Sequence, residues 1–227
     1  MRVAAASDLA LALDEIARAF ERETSVAVSV TLGSTGLLSG QLASGAPFDV
    51  FLAADGAFVD PLVDSGVCDG ATRRTHARGR LAIVSREGAP KSARALDDLV
   101  DDGVARVAIA HPDHAPYGRA AKGALARADL LARLEPKLVL AENVRQALTL
   151  VETGNVDAAL VALALVETSD VRVTPLDVAL HPPIDHVLVA CRGGARPDDG
   201  RRFAAFMHGE VARAVLVARG FAIPDPL

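Results

Sequence analysis

Tryptophan is absent from the 227 residues, tyrosine occurs once, cysteine twice, and aromatic side chains make up only 4%. Two cysteines as far apart as Cys68 and Cys191 cannot define a disulfide framework, and no Cys-x-x-Cys is present. They are expected to be two small buried hydrophobes, bridged only if the fold brings them together. Basic residues are also in deficit: 24 Lys and Arg stand against 29 Asp and Glu, a net charge of −5, interleaved along the chain. Without a basic stripe or aromatic platforms, nucleic acid is not an expected partner. No uninterrupted apolar run reaches the roughly 18–20 residues of a membrane span. The longest candidate, Val156 to Val166, is short and contains Asp157. GxSxG, HExxH, GxGxxG and GxxxxGK[ST] are all missing. Ser7, Ser34 and Thr35 have no evident partner base, so covalent catalysis is unsupported. A leader is not visible either, since Met1-Arg2 runs straight into an apolar Val3-Ala4-Ala5-Ala6. The chain is then either cytoplasmic or a mature form whose leader has been removed.

Half of the residues (51%) are apolar, enough to fill one large core or two small ones. Their arrangement is a short strand, a small-residue turn and an amphipathic helix, repeated. Val3–Ala5 predicts a strand. Leu9, Leu13, Ile16 and Phe20 follow at helical spacing, with Asp14, Glu15, Arg18 and Glu21 on the other face. Further strands are expected at Val26–Thr31, Phe48–Ala53, Leu81–Ser85, Val104–Ala110, Lys137–Leu140, Asp157–Ala162, Val171–Thr174 and Ile184–Cys191. Helices are expected at Leu37–Ala43, Gly56–Val63, Ala95–Val100, Gly118–Ala128 and Asn143–Glu152, with two more within Pro197–Ala218.

Such alternation implies an α/β fold with mostly parallel sheets flanked by helices. There are too many units for one short open sheet and too few residues for an eight-unit barrel. The expected architecture is therefore two lobes, residues 1–80 with 185–227 and residues 81–184. Two strands would cross between them, near Arg78–Leu81 and Pro183–Asp185.

The informative residues lie where strands feed helices. Ser7 stands at the first junction, where its ordinary role would be an N-cap. Thr35-Gly36 open the second helix, Ala54-Asp55 precede the third, and Pro116-Tyr117-Gly118 and Glu142-Asn143-Val144 open two later ones. Helix N-termini carry unpaired N–H groups and a partial positive charge, so several converging ends would suit an anion. The carboxyl ends of parallel strands are also where ligands of open α/β sheets lie. Backbone N–H groups and Ser/Thr hydroxyls can serve a fully ionised oxyanion without any acceptor. Such a pocket would favour a dianion provided Asp8 and Asp55 point away. His111-Pro112-Asp113-His114 superficially suggests a metal cluster, but Pro112 forbids helical pairing of the histidines and a third ligand is wanting, so a polar loop is expected. Arg119, Lys122 and Arg145 are expected to be solvated helix residues.

In order and spacing, five blocks resemble the molybdate-binding proteins of ABC transporters along essentially the whole chain. The blocks are Ala4-Ala5-Ala6-Ser7, Gly33-Ser34-Thr35-Gly36, Gly45-Ala46-Pro47-Phe48-Asp49-Val50-Phe51 with Ala54-Asp55, His111 through Gly118, and Glu142 through Leu148 with Val151-Glu152. Arg219-Gly220-Phe221 near the end adds to the likeness. The resemblance implies a two-lobed, hinged periplasmic-binding-protein fold that holds molybdate, and tungstate alongside it, in an interlobe cleft. It implies the Ser7 hydroxyl and N–H, the Thr35 hydroxyl and backbone N–H groups at Ala54, Tyr117 and Val144 as the ligand-holding groups. Molybdenum would be present only inside its oxyanion, with no direct bond from protein to metal and no cofactor. An ABC permease as partner, a monomer and a periplasmic location are implied too. Many such proteins place a tyrosine where this chain has Ala162; the Tyr117 phenol or a water is expected to fill that space. The alternatives are a binding protein or intracellular sensor for another small oxyanion such as sulfate, and an enzyme on the same fold, which lacks a positioned acid–base pair.

Overall fold

Strands and helices alternate through the computed structural model, which describes residues 1–86, 93–166 and 171–224. The strands are β1 (Arg2–Ala6), β2 (Ser29–Gly33), β3 (Val50–Ala53), β4 (Arg74–Gly79), β5 (Leu81–Arg86), β6 (Val107–Ala110), β7 (Leu138–Ala141), β8 (Ala158–Ala162), β9 (Val171–Pro175) and β10 (Ile184–Ala190). The helices are α1 (Ala10–Thr24), α2 (Thr35–Ala43), α3 (Asp60–Asp64), α4 (Pro116–Arg127), α5 (Leu131–Leu134), α6 (Val144–Glu152), α7 (Pro197–Phe206) and α8 (Glu210–Ala218). The chain divides into two units, Met1–Gly79 with Asp185–Leu227 and Arg80–Ile184. Among the described residues, no helix is long and apolar enough to cross a membrane.

The first unit is built on a five-stranded sheet of order β2-β1-β3-β10-β4. β1 pairs in parallel with β2 and with β3, and β10 runs antiparallel to β3. β1 and β3 are central, buried almost throughout, and so read as continuous small and apolar runs instead of alternating ones. Leu13, Ile16 and Phe20 on α1 are fully buried, and the Phe20 ring meets Phe203 of α7 edge-on at 5.1 Å. Burying each of these side chains contributes on the order of 1.5–3 kcal/mol. A second cluster joins Leu38 and Leu42 of α2, Phe51, Val59, Leu62 and Val189.

The second unit has a sheet of order β7-β6-β8-β5-β9. β6 is parallel to β7 and β8, while β5 is antiparallel to β8 and β9. Both sheets are thus mixed, each with a parallel trio at one side. β8 is buried along its whole length.

Several expectations change. The sheets, expected to be mostly parallel, each carry antiparallel strands at one side. The helix expected at Gly56–Val63 is a 3-10 turn, Gly56–Phe58, followed by the short α3. That expected at Ala95–Val100 is a 3-10 helix, Leu96–Val100, and β6 begins at Val107, not Val104. Cys68 and Cys191 form a disulfide rather than lying free, because an isolated antiparallel bridge sets the two residues side by side. β2 begins at Ser29, not Val26. The turn out of α1 uses the intervening residues: Ser25 is left-handed at φ 57°, and the Val28 N–H donates to the Glu21 carboxylate at 2.6 Å. β4 was not expected, since Arg74-Thr75-His76-Ala77-Arg78-Gly79 is largely polar.

Candidate functional site

In the first unit, register decides which junctions come together. Ala5 is opposite Leu52 and Ala6 opposite Gly33. Ser7, the Gly33-Ser34-Thr35 turn and Ala54 therefore leave three adjacent parallel strands at the same carboxyl edge, with strands about 4.8 Å apart. Ser7 is 4% exposed, Thr35 1% and Ala54 1%.

Ser7 opens a single 3-10 turn, Ser7–Leu9, ahead of α1. It is not the N-cap expected of it: Ala6 holds that position in the turn and Leu9 in α1, and neither cap has a side-chain bond. Thr35 is the first residue of α2, and its Oγ1 accepts the Ala54 N–H at 3.1 Å. The Ala54 N–H, expected to face a ligand directly, is engaged within the protein and fixes the Thr35 hydroxyl instead. With its oxygen taken from one side, that hydroxyl has its proton to donate elsewhere.

The two neighbouring carboxylates are both occupied. Asp55 caps its own turn, accepting the Ala57 N–H at 2.8 Å. Asp8, 1% exposed, lies 3.0 Å through Oδ2 from Nε2 of His186, which is 0% exposed. The His186 ring in turn meets His76 and Phe221 edge-on. Burial, then the proximity of His186 and His208, pushes the His76 pKa well below the usual histidine value. His208 is lowered as well, by burial and by Arg213 and Arg74. None of this histidine cluster was legible in the sequence, because His76 and His186 sit on separate strands with no shared motif.

The second unit repeats the arrangement. Ala110 is opposite Ala141 at the ends of β6 and β7, and the His111 N–H donates to the Ala141 carbonyl at 2.7 Å. After the turn, Pro116 starts α4 at a position where its missing N–H is not needed. Tyr117 follows, 2% exposed. Gly118 is required here: a Cβ would stand 2.1 Å from the Ala110 carbonyl oxygen. The start of α4 is thus pressed against the end of β6.

Val144, 3% exposed, is the first residue of α6. The Asn143 side chain accepts from the N–H groups of Arg145 and Gln146 at 3.1 and 3.0 Å. The cap therefore takes the second and third donors of the helix and does not take the first, that of Val144. Ala162 ends β8, whose Ala159 is opposite Ala108 of β6. It lies at the same carboxyl edge as Tyr117 and Val144 and is 0% exposed.

The remaining candidates fall outside these edges or carry no chemistry. Arg119, Lys122 and Arg145 are exposed. The His111 and His114 rings stack at 4.8 Å, and His111 Nδ1 is 3.8 Å from Asp113. Among the described residues no group of three or more His, Cys, Asp or Glu is placed to hold a metal ion.

Each of the two α/β units gathers buried uncharged residues at the carboxyl edge of its parallel strands. The family of bacterial extracellular solute-binding proteins matches residues 1–222, and the chain belongs to it. It is 32% identical to the molybdate-binding protein ModA of Escherichia coli over 233 residues, covering 97% of this chain and 88% of that protein. The ModA of Azotobacter vinelandii is also 32% identical, over 98% of this chain and 90% of the relative. The solved periplasmic molybdate-binding protein of Azotobacter vinelandii superposes with a TM-score of 0.92 at 28% identity, over 99% of this chain and 100% of that one. The sulfate-binding protein SubI of Mycobacterium tuberculosis shares the fold, with a TM-score of 0.83 at 18% identity over 100% of this chain and 87% of that one. The periplasmic-binding-protein architecture expected from the sequence is therefore the one observed.

Proposed function

We propose that this protein binds molybdate as the intact dianion, and tungstate with it, and delivers the ion to an ABC-type permease. Ser7 and Thr35 of the first unit and Tyr117 and Val144 of the second supply the hydrogen bonds, with Ala54 holding the Thr35 hydroxyl. The observation that carries this reading is the character of the two strand edges: every candidate donor is uncharged. The carboxylates next to Ser7 and Ala54 are engaged elsewhere, Asp8 by His186 and Asp55 by Ala57. A site of donors alone suits an oxyanion that carries no proton and disfavours hydrogenphosphate, whose O–H needs an acceptor. The relatives named for molybdate support the choice of ion.

Molybdate and tungstate have nearly the same size and charge, so donor geometry scarcely separates them. Sulfate is smaller and would sit loosely among donors set for longer metal–oxygen bonds. The protein binds its ligand without converting it, acts as a monomer, and works in the periplasm. The Cys68–Cys191 disulfide supports that location, because such bonds persist in oxidising compartments and are rare in the cytosol. Isothermal titration with molybdate, tungstate, sulfate and phosphate tests the reading. Tight binding of the first two, weak binding of sulfate and none of phosphate are expected; silence with molybdate and tungstate would end it.

A further inference from the structure

Arg80 is the first residue of the second unit. Its carbonyl accepts the Leu163 N–H at 2.9 Å, one step beyond the Leu81–Ala162 pair. The ladder between β5 and β8 thus extends to Arg80. Because these strands are antiparallel, Arg80 stands at the carboxyl edge of β8, the edge to which Tyr117, Val144 and Ala162 belong.

Alternation along the strand decides the face. Arg80, Ala82, Val84 and Arg86 project to one side of the sheet. Arg86 identifies that side, since a Cβ at Gly154, just past the end of α6, would stand 2.6 Å from its Nη1. The end of α6 therefore lies over Arg86, and its start lies toward Arg80. The helix climbs about 15 Å from Gly154 back to Val144, and the strand about 20 Å from Arg86 back to Arg80. Arg80 is thus on the face that α6 covers, at the end where α6 begins.

Arg80 is half-buried, and its Nε is buried without a hydrogen-bond partner. Among the described residues no carboxylate pairs with its guanidinium. A partly desolvated cation without a counter-charge is unfavourable, and the positive end of a helix on the same face makes it more so. An anion at the start of α6 relieves both. Glu142 and Arg145 flank Val144 in sequence, but they are exposed and opposite in sign, so solvent screens them.

We propose that Arg80 is the counter-charge of the oxyanion bound at Val144 and Tyr117. This rests on the reading of Val144 as a ligand-holding residue. The uncharged donors fix the oxygens, and Arg80 sets the charge that the site accepts. A guanidinium offers donors only, so the site still has no acceptor for a protonated ion, and two negative charges are favoured over one.

The test compares molybdate with perrhenate, a tetrahedral oxyanion of similar size and a single charge, by calorimetric titration of the whole protein. The wild type is expected to prefer molybdate. Arg80→Gln and Arg80→Met remove the charge, and either one that melts cooperatively carries the test. Molybdate affinity should fall by about 10- to 150-fold. Perrhenate affinity should fall less, so that the ratio of the two drops by about tenfold. Arg80→Lys should restore most of the ratio. A folded neutral variant that keeps the wild-type ratio, whether both affinities fall together or neither falls, would overturn the proposal. If the wild type binds neither molybdate nor tungstate, the molybdate reading falls, and sulfate against singly charged perchlorate decides the role of Arg80 in the same variants. A wild type silent to all of these anions overturns both readings.

Discussion

The Thr35 hydroxyl oxygen accepts the backbone N–H of Ala54 across 3.1 Å, tying the start of α2 to the end of β3. One side chain thereby satisfies a buried donor and keeps its own hydroxyl proton free of that bond. Thr35→Val keeps the shape and removes both functions. Stability should fall by about 1–3 kcal/mol for the unsatisfied N–H, and molybdate affinity by about 10- to 150-fold for the lost bond to a charged ligand. Thr35→Ser should stay close to wild type. Thermal melts and calorimetric titration separate the two effects.

Gly118 admits no side chain because the Ala110 carbonyl oxygen would lie 2.1 Å from a Cβ. That neighbour is backbone in a buried strand and has little room to retreat. Gly118→Ala should cost about 1–3 kcal/mol of stability or more. It should also weaken anion binding through displacement of Tyr117, whereas Gly123→Ala, on the same helix, should bind normally.

Reduction of the Cys68–Cys191 bridge releases a loop with a sequence separation of 123. Unfolding of the oxidised protein should be about 2–4 kcal/mol more difficult than that of the Cys68→Ala/Cys191→Ala double variant. Denaturant titrations with and without reductant check this, and thiol counting should find no free cysteine before reduction.

His76 gives the fold an acid-sensitive point. Its folded pKa lies well below the ordinary 6.5, so the native state prefers the neutral ring. The stabilisation is complete above about pH 6.5 and is lost as pH falls from there toward the folded value. The slope for one proton is at most about 1.4 kcal/mol per pH unit. Melting temperatures measured between pH 8 and 5 should fall toward acid, and His76→Gln should flatten that fall.

Tyr117 bears on the tyrosine that this chain lacks at Ala162. If its phenol supplies that hydroxyl, Tyr117→Phe should lower molybdate affinity by about 10-fold or more, as expected for a bond to a charged ligand. Unchanged affinity would show that the Tyr117 phenol does not replace the hydroxyl absent at Ala162.

Local regularity was readable in the sequence and long-range pairing was not. The spacing of Leu13, Ile16 and Phe20 marked the buried face of α1 because one helix period governs all three. β3 and β8 were visible as apolar runs since central strands are covered on both faces. β4 was missed because its exposed Arg74, Thr75 and Arg78 dilute the signal of His76, Ala77 and Gly79. The turn after α1 delays β2 through a bond from the Val28 N–H to the Glu21 carboxylate that no propensity encodes. At the candidate site, junction position marked five strand-to-helix turns, and the resemblance to molybdate-binding proteins singled out Ser7, Thr35, Ala54, Tyr117 and Val144 within them. The Thr35–Ala54 bond, the Asp8–His186 pair and the disulfide each join residues distant in the chain. Only folding brings such partners together.

The central claim, that uncharged backbone donors hold the anion, is tested most directly at Val144. Proline is tolerated at the first position of a helix, and the preceding Asn143, at φ −146° and ψ 172°, already has the extended backbone a following proline requires. The Asn143 cap bonds to Arg145 and Gln146 and needs nothing from residue 144. Val144→Pro therefore deletes one N–H at a helix position that accepts proline, at some cost from the changed buried side chain. Calorimetric titration should show molybdate binding weakened by about 10- to 150-fold, in a ligand-free protein that still unfolds cooperatively. Wild-type affinity in a correctly folded Val144→Pro protein would contradict the account.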